Sequence, residues 1–120
     1  MKKRILVLDD EVGTTRLLKL NLESTGRFAV QVENHGRRAL QAAQEFRPDL
    51  ILLDLILPDM RADEILSAIR AHDELRDIPV LLWSAGPRDQ LRSRDVEDLP
   101  CVGKPVRTAE LIEHIERHLM

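Results

Sequence analysis

Three short runs of almost purely apolar residues constrain the fold more than any other feature of this sequence. They read ILVL (residues 5–8), LILL (residues 50–53) and VLLW (residues 80–83). Runs this short and this rich in branched side chains are typical of strands that are buried on both faces of a parallel sheet. Two weaker runs, FAVQV (residues 28–32) and LPCV (residues 99–102), contain polar positions or a proline, which predicts edge strands.

Segments with helical periodicity separate these five runs. Apolar side chains recur in them at steps of three and four, so each segment presents one apolar stripe. The stripes are Leu17, Leu18 and Leu22; Ala39, Ala42, Ala43 and Phe46; Ala62, Ile65, Leu66 and Ile69; and Leu111, Ile112, Ile115 and Leu119. A further segment, residues 88–98, carries seven charges and only two apolar residues, so a helix there would have few apolar side chains to pack against the core. Regular alternation of strand and helix predicts an α/β fold with one doubly wound parallel sheet.

Composition narrows the class of protein. A chain of 120 residues fits a single domain, residues 1–120. A net charge of −3, with one tryptophan and two phenylalanines as the only aromatic residues, argues against direct nucleic-acid binding. The single cysteine, Cys101, excludes an internal disulfide. No apolar run is long enough for membrane insertion, and the basic start turns acidic too early for a signal peptide, so we expect a cytoplasmic protein.

Polar residues follow four of the five predicted strands. Asp9 and Asp10 follow the first strand, Asp54 the third, Ser84 the fourth, and Lys104 lies just beyond the fifth. Because the carboxyl ends of parallel strands share one edge of the sheet, we expect these side chains to meet there. Asp54 then closes its strand and is not a charge buried within it.

This set of groups is suited to phosphoryl transfer. Three neighbouring carboxylates repel one another unless a cation lies among them, and Mg²⁺ prefers such oxygen ligands. Lys104 supplies a charge that suits phosphate, and the Ser84 hydroxyl can donate a hydrogen bond to a phosphoryl oxygen. No histidine, cysteine or serine with a nearby base is placed to act as a nucleophile, which leaves Asp54 as the best candidate acceptor.

The same residues carry a resemblance to a known family. The stretches concerned are LVLDDE (residues 6–11), LLDLILPDM (residues 52–60), WSA (residues 83–85) and GKP (residues 103–105). In this order and at this spacing, the sequence resembles the receiver domain of bacterial two-component response regulators over essentially its whole length. The resemblance implies a flavodoxin-like (βα)5 fold with five parallel strands in the order 2-1-3-4-5.

The resemblance also implies a role for each site residue. Asp54 would accept a phosphoryl group from a sensor histidine kinase or a phosphotransfer protein, and the product would switch an interaction with an unidentified downstream protein. Ser84 and Lys104 would contact the phosphoryl oxygens. The ligands of Mg²⁺ would be Asp9, Asp10, Asp54 and the backbone carbonyl of Ile56. No enzymatic activity is expected beyond the protein's own phosphorylation and slow dephosphorylation.

Cys101 departs from the family pattern, and two further positions bear on the lifetime of the phosphorylated form. Cys101 stands three residues before Lys104, where the family usually has an aromatic side chain whose rotation reports phosphorylation. Ile56 and Gly86 stand where a polar side chain often orients the water that removes the phosphoryl group. Since neither can hold a water through a polar side chain, we expect slow dephosphorylation.

Two other classes of protein remain open. A degenerate receiver would bind a partner without being phosphorylated, but it should lack an acidic residue or the lysine, and all of these are present. A small phosphatase or flavodoxin of similar fold is poorly supported. Asp54 is not followed by a second catalytic acid, and no phosphate-binding loop follows the first strand.

Overall fold

The chain folds around a five-stranded parallel sheet. The computed structural model describes residues 1–55, 57–84, 99–104 and 107–119. The spatial order is β2-β1-β3-β4-β5, and every neighbouring pair is parallel. The strands are β1 (Lys3–Leu8), β2 (Phe28–Glu33), β3 (Leu50–Asp54), β4 (Val80–Ser84) and β5 (Cys101–Gly103). This order confirms the predicted fold and places the two weaker runs at the edges.

Four α-helices and one short 3₁₀ turn lie in the described part of the chain. The helices are α1 (Val12–Glu23), α2 (Ala39–Phe46), α3 (Ala62–Arg70) and α4 (Thr108–His118), and the 3₁₀ turn is Gly36–Arg38. The helical segment expected between β4 and β5 lies outside the described residues. No helix within the described ranges is both long and apolar enough to cross a membrane.

The core has two halves, one on each face of the sheet. Successive side chains of a strand point to opposite faces, so β1 sends Leu6 and Leu8 to one side and Ile5 and Val7 to the other. The first side packs against α2 and α3, and the second against α1 and α4. Because both faces are covered, the central strands are apolar at nearly every position, which explains why their sequences were recognisable.

The prediction of the helical stripes was wrong at one residue, Leu17. The α1 stripe was predicted to contain Leu17, but its side chain is 60% exposed. The buried side chains of α1 are Thr15, Leu18 and Leu22. These three lie on one side of the helix, and Leu17 lies about 100° round the helix from Leu18. The polar Thr15 takes the inward position that the apolar pattern assigned to a leucine.

The last strand also begins later than predicted. The run of residues 99–102 was predicted as the strand, whereas β5 is Cys101–Gly103. Pro100 precedes it and accepts a hydrogen bond from the Leu82 N–H at 2.9 Å through its carbonyl oxygen. Proline cannot donate to a ladder, so it joins the sheet only as an acceptor at the start of the strand.

The loop after β3 is tied to the loop after β2 by Asp59. Its carboxylate accepts hydrogen bonds from the backbone N–H groups of Gly36 at 2.9 Å and Arg37 at 3.2 Å. Gly36 is buried in the contact, and a Cβ atom there would lie only 2.8 Å from the Cβ of Met60. Two chain segments therefore meet closely just downstream of Asp54.

We expect the substitution Gly36→Ala to lower the free energy of unfolding by about 1–3 kcal/mol, the usual cost of overpacking a closed contact. The added methyl group would meet Met60, Asp59 and Ile65 within 3.1 Å. Gly13→Ala is the matched control, since a Cβ at Gly13 meets nothing within 4 Å and alanine favours a helix by up to about 1 kcal/mol. Urea unfolding of both variants tests this, and equal effects would contradict it.

Asp59→Asn should destabilise the protein at neutral pH, and its effect should shrink in acid. The Gly36 N–H, with help from Arg37, lowers the pKa of Asp59 below its usual value of 3.8, although burial opposes this. The stabilisation is therefore present above pH 3.8 and is lost as the pH falls through the lowered pKa of the folded state. Urea unfolding of both proteins at a series of pH values measures the difference. Asp77→Asn is the control, because Asp77 is exposed. If the difference in free energy of unfolding between the native protein and Asp59→Asn did not change with pH, the stabilising role of the Asp59 carboxylate would be contradicted.

Candidate functional site

Four of the residues singled out from the sequence lie at the carboxyl edge of the sheet. Asp9 follows β1 directly, Asp54 and Ser84 are the last residues of β3 and β4, and Lys104 follows β5 directly. Backbone hydrogen bonds hold these strand ends together, including one from the Lys104 N–H to the Ser84 carbonyl at 2.8 Å. Residues up to 95 positions apart in the chain thus lie around one point.

Three carboxylates form the centre of this site. One oxygen from each of Asp9, Asp10 and Asp54 lies within 4.8 Å of the others. Asp9 is fully buried and Asp54 is 5% exposed, whereas Asp10 faces solvent. The carboxylates of Asp9 and Asp54 are therefore largely removed from water, whereas solvent reaches the cluster at Asp10.

Lys104 forms ion pairs with both buried acids. Its Nζ lies 2.5 Å from Asp9 Oδ2 and 3.3 Å from Asp54 Oδ2, and its side chain is only 13% exposed. Burial alone would lower the pKa of Lys104. The hydrogen bond to Asp9 and the charge of Asp54 outweigh it and raise the pKa above the usual 10.5. The ammonium group is therefore charged at neutral pH.

Asp54 closes its strand and its carboxylate lies within the charged cluster, as predicted. The residue is nevertheless only 5% exposed. A buried carboxylate is tolerated when a cation and hydrogen-bond donors meet it. Lys104 is that cation, so the charge at the end of β3 is paired within the fold.

Asp9 is held in place by its neighbours. Its Oδ1 accepts a hydrogen bond from the Glu11 N–H at 2.9 Å. The Asn34 side chain donates both to the backbone carbonyl of Asp9 at 2.7 Å and to the Thr15 hydroxyl at 3.1 Å. Sequence reasoning missed Asn34, because an asparagine after a strand is an ordinary turn residue and nothing in the sequence indicates its partner.

Trp83 also contacts the site. The Nζ of Lys104 lies 4.3 Å from the centre of the indole ring, within the range of a cation–π interaction. Trp83 is 4% exposed and belongs to the core half covered by α1 and α4. From the sequence it was interpreted only as an apolar strand residue and as part of the WSA stretch.

The remaining predicted residues have different outcomes. Ser84 is buried at the end of β4 and pairs with Gly103, next to Lys104. The backbone carbonyl of Ile56 and the whole of Gly86 lie outside the described residues, so their roles stay predictions. Cys101 is half-buried in β5 and packs against the core half that contains α2 and α3.

The donor set fits a small, hard divalent cation. Mg²⁺ binds oxygen ligands, keeps several waters and needs only one or two carboxylates from a protein. The cluster offers three carboxylates close together, of which Asp10 is open to solvent. Among the described residues, no thiolate or imidazole group belongs to this cluster, so the chemistry of these ligands does not favour zinc or copper.

Comparison with known proteins indicates one family for this chain. The sequence profile of the response regulator receiver domain matches residues 5–116. A polar-differentiation response regulator, DivK of Brucella anthropi, is 32% identical to this chain over an alignment of 123 positions. The alignment covers 99% of this chain and 98% of that protein.

Solved structures share the fold. Chemotaxis response regulator CheY4 of Vibrio cholerae superposes with a TM-score of 0.87 at 22% identity, covering 99% of this chain and all of the other. The receiver domain of a Pseudomonas aeruginosa sensor histidine kinase, solved with a magnesium ion in its active-site cleft, has a TM-score of 0.85 at 25% identity and covers 98% of each chain. With the family profile matching nearly its whole length, this chain belongs to the response regulator receiver domains.

Proposed function

We propose that this chain is a phosphoacceptor in two-component signalling, in which Asp54 takes a phosphoryl group from a histidine residue of a sensor kinase or phosphotransfer protein. The observation that carries the proposal is the pairing of the Lys104 ammonium with both Asp54 and Asp9 at the edge of the sheet. The phosphorylated form would then change the affinity for a downstream protein.

In the transfer, an oxygen of the Asp54 carboxylate attacks phosphorus while the bond between phosphorus and the donor's histidine nitrogen breaks. The electron pair of that bond stays on the nitrogen, which takes up a proton from its surroundings. Charge accumulates on the phosphoryl oxygens, so cationic groups near them favour the reaction. Lys104 is 3.3 Å from Asp54 Oδ2 and can pair with a phosphoryl oxygen there. Ser84, at the end of the adjacent strand, would donate a hydrogen bond from its hydroxyl to another phosphoryl oxygen.

Asp9, Asp10 and Asp54 would hold a magnesium ion, together with the carbonyl of Ile56 as the family resemblance implies. Such an ion neutralises charge on the phosphoryl oxygens. Two observations support this part of the proposal, namely the closeness of the three carboxylates and the magnesium ion in the cleft of the similar Pseudomonas aeruginosa receiver domain. The carboxylates bind the ion, and Asp54 alone also serves as the acceptor.

The protein would not catalyse the conversion of a separate substrate. The chain would act in the cytoplasm, and its only chemistry would be its own phosphorylation and dephosphorylation. A net charge of −3 gives no support for direct nucleic-acid binding, so the output would be a contact with another protein.

Acetyl phosphate with Mg²⁺ should add one phosphoryl group to the native chain and none to Asp54→Asn, because the amide is not a comparable nucleophile. Intact-mass measurement reports the product. Asp77→Asn is the control, since Asp77 is exposed and precedes β4 at the opposite edge of the sheet. Removal of Mg²⁺ with a chelator should prevent the reaction in the native chain and in Asp77→Asn.

Failure of the native protein to gain mass under these conditions would contradict the proposal and leave a phosphorylation-independent binding module. A gain of the same size in Asp54→Asn would show that the acceptor is another residue.

The phosphorylated protein should lose its phosphoryl group slowly, because neither Ile56 nor Gly86 offers a polar side chain to orient water. Ile56→Asn should shorten the half-life by about two- to tenfold, the value of one hydrogen bond to the attacking water. The decay of the phosphorylated mass after removal of acetyl phosphate measures this. A half-life of seconds in the native protein would contradict the expectation.

A further inference from the structure

The contact between Trp83 and Lys104 is not explained by packing alone. Trp83 is the only tryptophan in the chain, and its ring centre lies 4.3 Å from Lys104 Nζ. Within the described residues, the buried indole Nε1 has no hydrogen-bond partner. A buried N–H group without a partner is unfavourable. The two preceding residues of β4, Leu81 and Leu82, are likewise buried and carry no such group on their side chains. The ring face toward the lysine is the feature that an aliphatic side chain would lack.

The strands fix this contact. Trp83 pairs with Asp54 on β3 and with Val102 on β5. Since side chains two residues apart share a face, Lys104 lies on the same side of the sheet as Val102 and Trp83. The indole is therefore held by rigid strands beneath the lysine and beside the acceptor's strand.

We infer that Trp83 is a positioning residue for phosphoryl transfer, which acts by holding the ammonium group of Lys104 beside Asp54. The inference rests on the proposed function. A lysine side chain has four flexible bonds. If only carboxylates held the ammonium group, it would be free to move away from Asp54 when one of these ion pairs was replaced. The ring is not a competing acceptor, so its attraction persists when Lys104 gives up Asp9 for a phosphoryl oxygen.

A cycle of variants separates this role from simple packing. The rate of phosphorylation by acetyl phosphate with Mg²⁺ is measured for the native chain, Trp83→Leu, Trp83→Phe, Lys104→Met and the double variant Trp83→Leu/Lys104→Met. We expect Trp83→Leu to slow phosphorylation by about three- to thirtyfold, the range expected from loss of a partly desolvated cation–π contact. Trp83→Phe should retain part of the rate, because a phenyl ring attracts cations less strongly than indole.

The decisive comparison is between the two backgrounds. If Trp83 acts through Lys104, Trp83→Leu causes no further slowing once the lysine is methionine. Equal slowing in both backgrounds would overturn the inference, as would native rates in Trp83→Leu or equal rates in the leucine and phenylalanine variants. Urea unfolding shows which variants are folded, and should Trp83→Leu fail to fold, Trp83→Phe is carried through the same cycle.

Tryptophan emission provides a readout without metal or phosphodonor. Because the chain has one tryptophan, its emission spectrum reports the surroundings of Trp83 and of no other residue. Lys104→Met should change the emission of Trp83, whereas Lys2→Met, at an exposed position far along the sheet, should not. An unchanged spectrum in Lys104→Met would overturn the inference. If the native chain takes up no phosphoryl group, the proposed function fails, and the emission spectra still decide whether the contact exists.

Discussion

The ion pairs of Lys104 with Asp9 and Asp54 are the interaction on which the site depends. They join the ends of β1, β3 and β5, across 95 and 50 positions of the chain. Each buried carboxylate would be costly without a cation, and the ammonium would be costly without the acids. The fold therefore stabilises a cluster of charges that no local segment could hold, and it places the candidate acceptor within that cluster.

Much of the fold could be predicted because burial on both faces leaves a clear pattern. The runs that became β1, β3 and β4 are apolar at almost every position, and their neighbours place them inside the sheet. The prediction was wrong at Leu17, because α1 turns Thr15 inward instead. A hydroxyl is tolerated there because it donates to the Val12 carbonyl and accepts from Asn34, a partner that the sequence pattern does not reveal.

The candidate site was predictable to the extent that it follows from topology. Strand ends in a parallel sheet share an edge, which was sufficient to bring together Asp9, Asp54 and Lys104. The supporting contacts were not predictable, since they depend on where side chains point. Asn34 and Asp59 are ordinary loop residues in the sequence, yet each binds backbone from a distant loop. The contact between Trp83 and Lys104 likewise needs the register of β4 and β5.

The three carboxylates and Lys104 would act together on one phosphoryl group. A crystal structure of the protein with Mg²⁺ and beryllium fluoride, a mimic of the phosphoryl group, would show whether they do. We expect one metal ion bound by Asp9, Asp10 and Asp54, with the mimic on Asp54 and Lys104 Nζ in hydrogen-bond contact with a fluoride. A mimic bound at another residue, or a Lys104 side chain turned away into solvent, would contradict this joint role of the carboxylates and the lysine.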